Sequence, residues 1–429
     1  WNTSTFGGTE SSWVLRSSLN GTGDPVIVAS VAPTSTLTYT FVGLATNTAY
    51  TFDVAGTDAS ASSTMVTSSL VYTGAATPNT PTLSTVGQQT LRITMATDTN
   101  PAGRTTYIVK DTNASVGLKY LQTDATWGNA TATLTWVQLG GGSATTTIGL
   151  ATSTSHTISI AAVNSDSTNT TTYSSTVTLS TLAEAPGALA LSTVGQQTLR
   201  ITMTTNTNPA GNTTYIVKDT NASVGLKYLQ TNATWGSATA TLTWFQLGAG
   251  SVTTTIGLAT STSHTLSIAA VNDDSTNTTT YSSTVTLSTL AETPNAPTLS
   301  SVGAQTLRIT MVTNTNPAAN TTYIVKDTNA SVGLKYLQTN ATWGAATATL
   351  TWVQLGAGAV TTTIDLATNT QHTISIAAVN DDSSATTTYS STVSLYTMGA
   401  VPNASTLSTV GQQTLRITMA TDTNPAANT

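Results

Sequence analysis

TLRITM at Thr90–Met95 recurs at Thr198–Met203, Thr306–Met311 and Thr414–Met419, each time 108 residues further on. In the first copy of the string, Leu91, Ile93 and Met95 share one face of an extended chain, and Arg92 and Thr94 share the other. Apolar residues at every second position mark a half-buried β-strand. A period of 108 is too long for a solenoid, whose units of roughly 20–50 residues lean on their neighbours. It suits a domain of about 100 residues with its own core. The 429 residues therefore hold about four domains' worth of near-copies.

Strand follows strand outward from this string. Asn100-Pro101-Ala102-Gly103 reads as a turn and Tyr107-Ile108-Val109 opens the next strand. Lys119–Gln122, Thr131–Leu139, Thr145–Leu150, His156–Val163 and Thr172–Leu179 follow, separated by Gly, Asn, Asp and Ser. The many threonines favour extended backbone because their branched Cβ stiffens χ1. No helical period competes, and seven or so short strands per unit indicate a β-sandwich. Prolines at 78, 81, 186, 294, 297 and 402 mark the joints, dividing the chain into 1–77, 78–185, 186–293, 294–401 and 402–429. Proline fixes φ and donates no ladder bond, which suits the start of an edge strand.

Composition narrows the function. Charged residues make up 7% of the chain and the net charge is −6, yet 38% hydrophobic residues allow a packed core. Without cysteine there is neither disulfide nor thiolate chemistry. No basic cluster invites nucleic acid, and no apolar run reaches the roughly 20 residues of a membrane span. The chain starts at Trp1 and not Met, so either a leader has been removed or the start lies outside this sequence.

The unit resembles a fibronectin type III domain. A proline stands near its start, the second strand alternates, an aromatic opens the third, and Gly149-Leu150-Ala151-Thr152-Ser153-Thr154-Ser155-His156-Thr157-Ile158-Ser159-Ile160 is similar to the family's Gly-Leu…Tyr-x-apolar-x-apolar run before strand F. The resemblance covers essentially the whole chain and implies an all-β array of sandwiches in the style of prokaryotic cell-surface proteins. It departs from the family at Met95, where a core Trp is usual, and at His156, His264 and His372, which occupy the tyrosine-corner position that Tyr50 keeps in the first copy.

Both ends read as incomplete. Aligning Gly43-Leu44-Ala45-Thr46 with Gly149-Leu150-Ala151-Thr152 puts Tyr50 on His156 and Trp1 on Tyr107, so residues 1–77 hold strands C to G and residues 402–429 hold strands A and B. A sandwich without A and B leaves strand E as an open edge, a template for another strand. The tail hairpin offers Leu407, Val410, Leu415, Ile417 and Met419, worth on the order of 8–15 kcal/mol if all were buried. One reading is strand complementation in trans, the tail of one subunit filling the head of the next, with Trp1 in the accepting part. The other is a window cut from a longer array. The divergence of the first copy (Trp13, Pro25, Tyr39, Tyr50) favours the former.

No set of residues looks built for catalysis or metal binding, and no cofactor is implied. The three histidines, one per unit, read as structural corner residues, and nothing nearby marks them as pH sensors. Asp111, Asp219 and Asp327 each follow a lysine, so neighbouring side chains point to opposite faces and no catalytic pair results. Asp273-Asp274 and Asp381-Asp382 fall in the F–G loop, where partners often bind. Trp127/Trp136, Trp235/Trp244 and Trp343/Trp352 are pairs for packing, with sugar stacking as the competing use. Asn-x-Ser/Thr triplets at Asn2, Asn20, Asn113, Asn129, Asn169, Asn212, Asn221, Asn232, Asn277, Asn320, Asn329, Asn340 and Asn403 fit a secreted surface carrying covalent glycans. The expected protein is an extracellular filament subunit whose partner is itself, polymerising head to tail. The alternative is an adhesin stalk or carbohydrate-binding array.

Overall fold

The computed structural model describes residues 11–21, 25–32, 38–59, 61–96, 98–113, 117–145, 150–204, 206–221, 225–254, 257–312, 314–329, 333–362, 366–421 and 424. These are all-β apart from one short 3-10 turn, Gly356–Gly358. The chain divides into two compact units. The first comprises Trp1–Glu184 with the loops Thr207–Thr213 and Val271–Thr279, and the second the remainder.

The first unit contains the copy that shows the sandwich plan most simply. Strands A (Thr82–Thr85), B (Leu91–Thr94) and E (Ser143–Thr145) form a three-stranded antiparallel sheet with B in the middle. The facing sheet runs from Trp127–Gly128 through Lys119–Leu121 to C (Thr106–Asp111), F (Ser155–Val163) and G (Val177–Ser180), with Leu134–Thr135 also on C. Between the sheets, Leu91, Ile93 and Met95 meet Tyr107, Val109, Leu121, Ile158 and Ile160 in one buried cluster. Alternation puts these residues inside, and burial of each large side chain contributes roughly 1.5–3 kcal/mol. The second unit repeats both sheets twice: A–B–E as Ala190–Thr193, Leu199–Thr202, Ser251–Thr253 and as Thr298–Gly303, Thr306–Thr310, Ala359–Thr361.

Two threonine-rich stretches are not the strands their composition suggests. Thr131–Leu139 yields only Leu134–Thr135. There Gln138 Oε1 accepts the Thr135 amide at 2.9 Å while Thr135 Oγ1 accepts the Gln138 amide at 3.3 Å. This reciprocal capping box starts a single helical turn, closed by the Leu139 amide donating to the Thr135 carbonyl. The Thr-x-x-Gln spacing was the available signal. In Thr172–Leu179 only the last part is strand. Upstream, Ser174 Oγ and Thr171 Oγ1 take the Ile160 and Ala162 amides in place of backbone carbonyls, so hydroxyls interrupt the ladder.

The turn ends at Gly142 (φ +97°), where an added Cβ would lie 2.8 Å from the Trp136 ring; Gly250 and Gly358 stand likewise against Trp244 and Trp352. Trp136 in turn packs on Tyr107 at 6.0 Å between ring centroids. Gly142→Ala is expected to destabilise its sandwich by about 1–3 kcal/mol through overpacking at a left-handed position, read as a lower denaturation midpoint with quenching of Trp136 fluorescence altered.

Candidate self-assembly site

The hairpin near the C-terminus pairs Thr406–Gly411 with Thr414–Thr418, Leu407 opposite Ile417 and Thr409 opposite Leu415. It is a two-stranded sheet by itself. Leu415, Ile417 and Met419 are 66–72% exposed, whereas Leu91, Ile93 and Met95, the same positions one complete copy in, are 0–7% exposed. Leu407 is exposed too, while Leu83 packs against the core of its sandwich. Val410 behaves differently. Its counterparts Val86, Val194 and Val302 are themselves 45–50% exposed, so filling the sandwich does not bury this residue.

The described residues of the first copy form one sheet, C′ (Pro25–Val31), C (Ser12–Leu19), F (Ala49–Thr57) and then the short G pieces Val66–Thr67 and Val71–Tyr72. No A–B–E sheet faces it among the described residues. Register fixes the correspondence. Trp13 lies opposite Gly56, as Tyr107 lies opposite Ala162. Trp13 is therefore the aromatic that opens strand C. Trp1, assigned that place from an ungapped alignment, lies outside the described residues. The alignment slipped because 45 residues separate Ser12 from its partner Thr57, against 57 between Thr106 and Val163. Trp13, Phe52 and Val54 are half-buried, where their counterparts Tyr107, Ile158 and Ile160 are fully buried. With Leu15, Tyr39, Phe41, Leu44 and Val66 they line an open apolar groove of about 680 Å³.

The main chain shows the same vacancy. In the complete copies the Leu182 and Leu290 amides donate to the Gly87 and Gly195 carbonyls, tying the segment after strand G to the A–B turn. Thr85 Oγ1 also donates to the Ser180 carbonyl at 3.0 Å. The Asn47–Gly74 bond corresponds to that of Ser153 and Leu182, which places Gly74 on Leu182 and Tyr72 on Ser180. The Gly74 amide has no acceptor among the described residues.

The corner histidines hold a partner that the sequence reading missed. His156 Nδ1 lies 2.6 Å from Asp111 Oδ2 and Nε2 faces the Ala151 carbonyl; both residues are 0% exposed. Asp111 Oδ1 accepts the Asn113 and Thr157 amides. His264–Asp219 and His372–Asp327 repeat this at 2.6 Å. Sealed from solvent and with no nucleophile on Nε2, the pair braces strand C against strand F. Lys110, one residue before and on the other face, lies over the Tyr173 ring. The first copy replaces both members together: register puts Ser17 on Asp111, and Tyr50, whose hydroxyl accepts the Ala45 amide, on His156. That joint replacement was the available sequence signal.

The F–G loops are occupied. Within the first unit Asp274 Oδ2 accepts the Ser180 amide at 2.8 Å and Asn272 Nδ2 donates to the Thr181 carbonyl. Within the second, Asp382 and Asn380 do the same to Ser288 and Thr289. Glu184 Oε2 accepts the Thr207 amide and hydroxyl, and Glu292 takes those of Thr315. Burial pushes the Asp274 and Asp382 carboxyls up, but the hydroxyls and amides of Thr276 and Ser384 and the serine amides outweigh it and hold both low. The threonine hydroxyls and amides hold Glu184 and Glu292 low. Corner residues in the left-handed region complete the joints: Asn47 donates to Arg104 and Thr105, Ser153 to Asn212 and Ser261 to Asn320.

Of the tryptophan pairs, Trp127, Trp235 and Trp343 are buried and Trp136, Trp244 and Trp352 half-buried against the core, which is the packing use. Among the triplet asparagines, Asn329 does not fit a glycan in the folded chain: it is 7% exposed and its amide donates to the Gln371 carbonyl. No helix of the described residues is long and apolar enough to cross a membrane.

With B between A and E, and C and F carrying the facing core, the plan repeats every 108 residues. The chain is an array of fibronectin-III-like sandwiches. No protein-family profile matches it, and no curated protein matches it. It is similar to the FN1–FN3 domains of chicken CNTN1, at 14% identity over 75% of this chain and 98% of that one, with a TM-score of 0.23.

Two outcomes are expected. His156→Tyr alone should cost its sandwich about 3–5 kcal/mol by leaving the buried Asp111 unpaired, and adding Asp111→Ser should recover much of it, measured by chemical denaturation. The joint carboxyls are held low in the fold, so their contribution is complete above the ordinary carboxylate range and lost as pH falls through their folded values, beneath that range. Exchange protection of the Ser180 and Ser288 amides should fall there and hold constant between pH 5 and 8.

Proposed function

We propose that the chain is the structural subunit of an extracellular filament or surface appendage, in which the 402–421 hairpin of one copy completes the first sheet of the next. The observation that carries this reading is a paired mismatch: an A–B hairpin whose core residues are exposed, and a C–F sheet whose core residues line an open groove. The string TLRITM in the hairpin is the one that fills every complete copy. Seated likewise, Thr409 Oγ1 would meet the Tyr72 carbonyl and the Gly74 amide the Gly411 carbonyl. Burying Leu415, Ile417 and Met419 would contribute about 5–9 kcal/mol as an upper bound, enough to decide between monomer and polymer. The contact is heterologous, so copies add without limit unless the rotation closes a ring. No catalytic role enters this reading.

The stalk of a longer adhesin would share every sandwich. The surfaces such an array would use for binding, the F–G loops and tryptophan pairs, are largely taken up by joints and cores.

The test is assembly of residues 1–429, followed by sedimentation and negative-stain imaging. Ile417→Asp should abolish filaments, whereas Val410→Asp, at a position exposed in every copy, should leave them intact. Filaments unaltered by Ile417→Asp, or a native chain that stays monomeric at high concentration, would sink the proposal and leave the stalk.

A further inference from the structure

We propose that Asn232 and Asn340 are acceptors of N-linked glycan, transferred from a lipid-diphosphate-linked saccharide. The inference rests on the extracellular placement proposed above but not on polymerisation.

The thirteen triplets differ in what holds the asparagine. Asn329 is buried. Asn277 spends its amide nitrogen on Thr276 Oγ1, and Asn403 on the Thr421 carbonyl. Asn212 and Asn320 lie at the joints, their carbonyls taken by Ser153 and Ser261. For Asn113 and Asn221 the third residue of the triplet lies outside the described residues, and Asn2 does so itself.

The third residue of the Asn20 triplet also lies outside the described residues, and the exposed Asn129 and Asn169 accept no bond from Thr131 or Thr171 among the described residues; Asn232 and Asn340 stand apart. Both are exposed at the tip of a hairpin on the sheet edge, Asn232 between Lys227–Leu229 and Trp235–Gly236, Asn340 between Lys335–Leu337 and Trp343–Gly344. The turns are closed by the Gln230 and Gln338 amides on the Thr234 and Thr342 carbonyls at 2.8 Å, and they hold Ala233 and Ala341 at φ +62° and +61°. That conformation folds the triplet back on itself. Asn232 Oδ1 accepts both the amide (3.2 Å) and the hydroxyl (2.7 Å) of Thr234, and Asn340 Oδ1 accepts both from Thr342 at the same distances. Nδ2 of neither makes a hydrogen bond among the described residues.

This arrangement supplies what transfer needs. An amide nitrogen is a poor nucleophile because its lone pair is delocalised into the carbonyl. Two donors on Oδ1 stabilise negative charge on oxygen as the nitrogen loses a proton. In the step, Nδ2 bonds to the anomeric carbon, the bond from that carbon to the diphosphate oxygen breaks, the lipid diphosphate leaves with the electron pair, and one Nδ2 proton passes to a base of the transferring enzyme. The threonine hydroxyl that the triplet requires is already on the amide it serves. A glycan at each tip would also hydrate a surface with few charges.

The copy at 78–185 is a built-in control. Asp124 takes the same turn, accepting the Thr126 amide and hydroxyl at 3.0 and 2.6 Å with Ala125 at φ +63°, but it has no amide nitrogen to modify.

The experiment is secretion of residues 1–429 from a eukaryotic cell line, with occupancy mapped by glycopeptide mass spectrometry. Asn232 and Asn340 should be occupied and Asn329 bare. Asp124→Asn should add one glycan in that turn, and Thr234→Ala should remove the one at Asn232 alone. The same map is expected in the Ile417→Asp chain, so failure of polymerisation and failure of this inference are separate results. Bare Asn232 and Asn340, whether or not other triplets are occupied, or an Asp124→Asn chain that gains nothing, would overturn it.

Discussion

The contact on which everything else depends is the burial of three side chains of strand B against strands C and F. Leu91, Ile93 and Met95 are shielded from water because Tyr107, Val109, Ile158 and Ile160 stand opposite them. Neither sheet can satisfy this alone. A three-stranded sheet without its facing layer exposes a continuous apolar face, and the facing layer without it is an open groove. The strand complementation proposed above would meet the same requirement with two chains instead of one.

The second constraint is satisfaction of polar groups in a chain with few charges. Buried polar atoms are costly without partners, and several here find them at repeated places, although the indole nitrogens of Trp127, Trp235 and Trp343 do not. The His–Asp pair spans strands C and F. The left-handed corner residue and the F–G aspartate spend their side chains on joints. Loops usually free to bind partners are consumed in fixing one sandwich to its neighbour within each compact unit.

Much of this was legible in the residues. Period two in TLRITM gave strand B and its inward face, and the 108-residue recurrence gave the sandwiches. What escaped was set by contacts between distant residues or by local side-chain chemistry. Thr131–Leu139 looked extended because threonine favours strands, but Thr135 and Gln138 cap each other and turn the chain. Val410 looked like core because it is apolar, yet the hairpin bend points it outward. Trp13 was displaced by Trp1 because the first copy is shorter between strands C and F, which no ungapped alignment detects. Asp111 and His156 are 45 residues apart and needed the C–F register to meet.

The near-identity of the hairpins has a consequence for biosynthesis. Four stretches of this polypeptide carry the same key, and the first sheet is a lock with no key ahead of it among the described strands. The next hairpin along the chain belongs to its own downstream neighbour. If the lock takes that hairpin, the neighbour is robbed in turn and the error passes down the chain as a frame shift in pairing. Each later sandwich must therefore close on its own hairpin faster than the leading sheet can capture it. Strand C follows strand B more closely along the chain than the first sheet precedes it, which gives that advantage to the correct pairing.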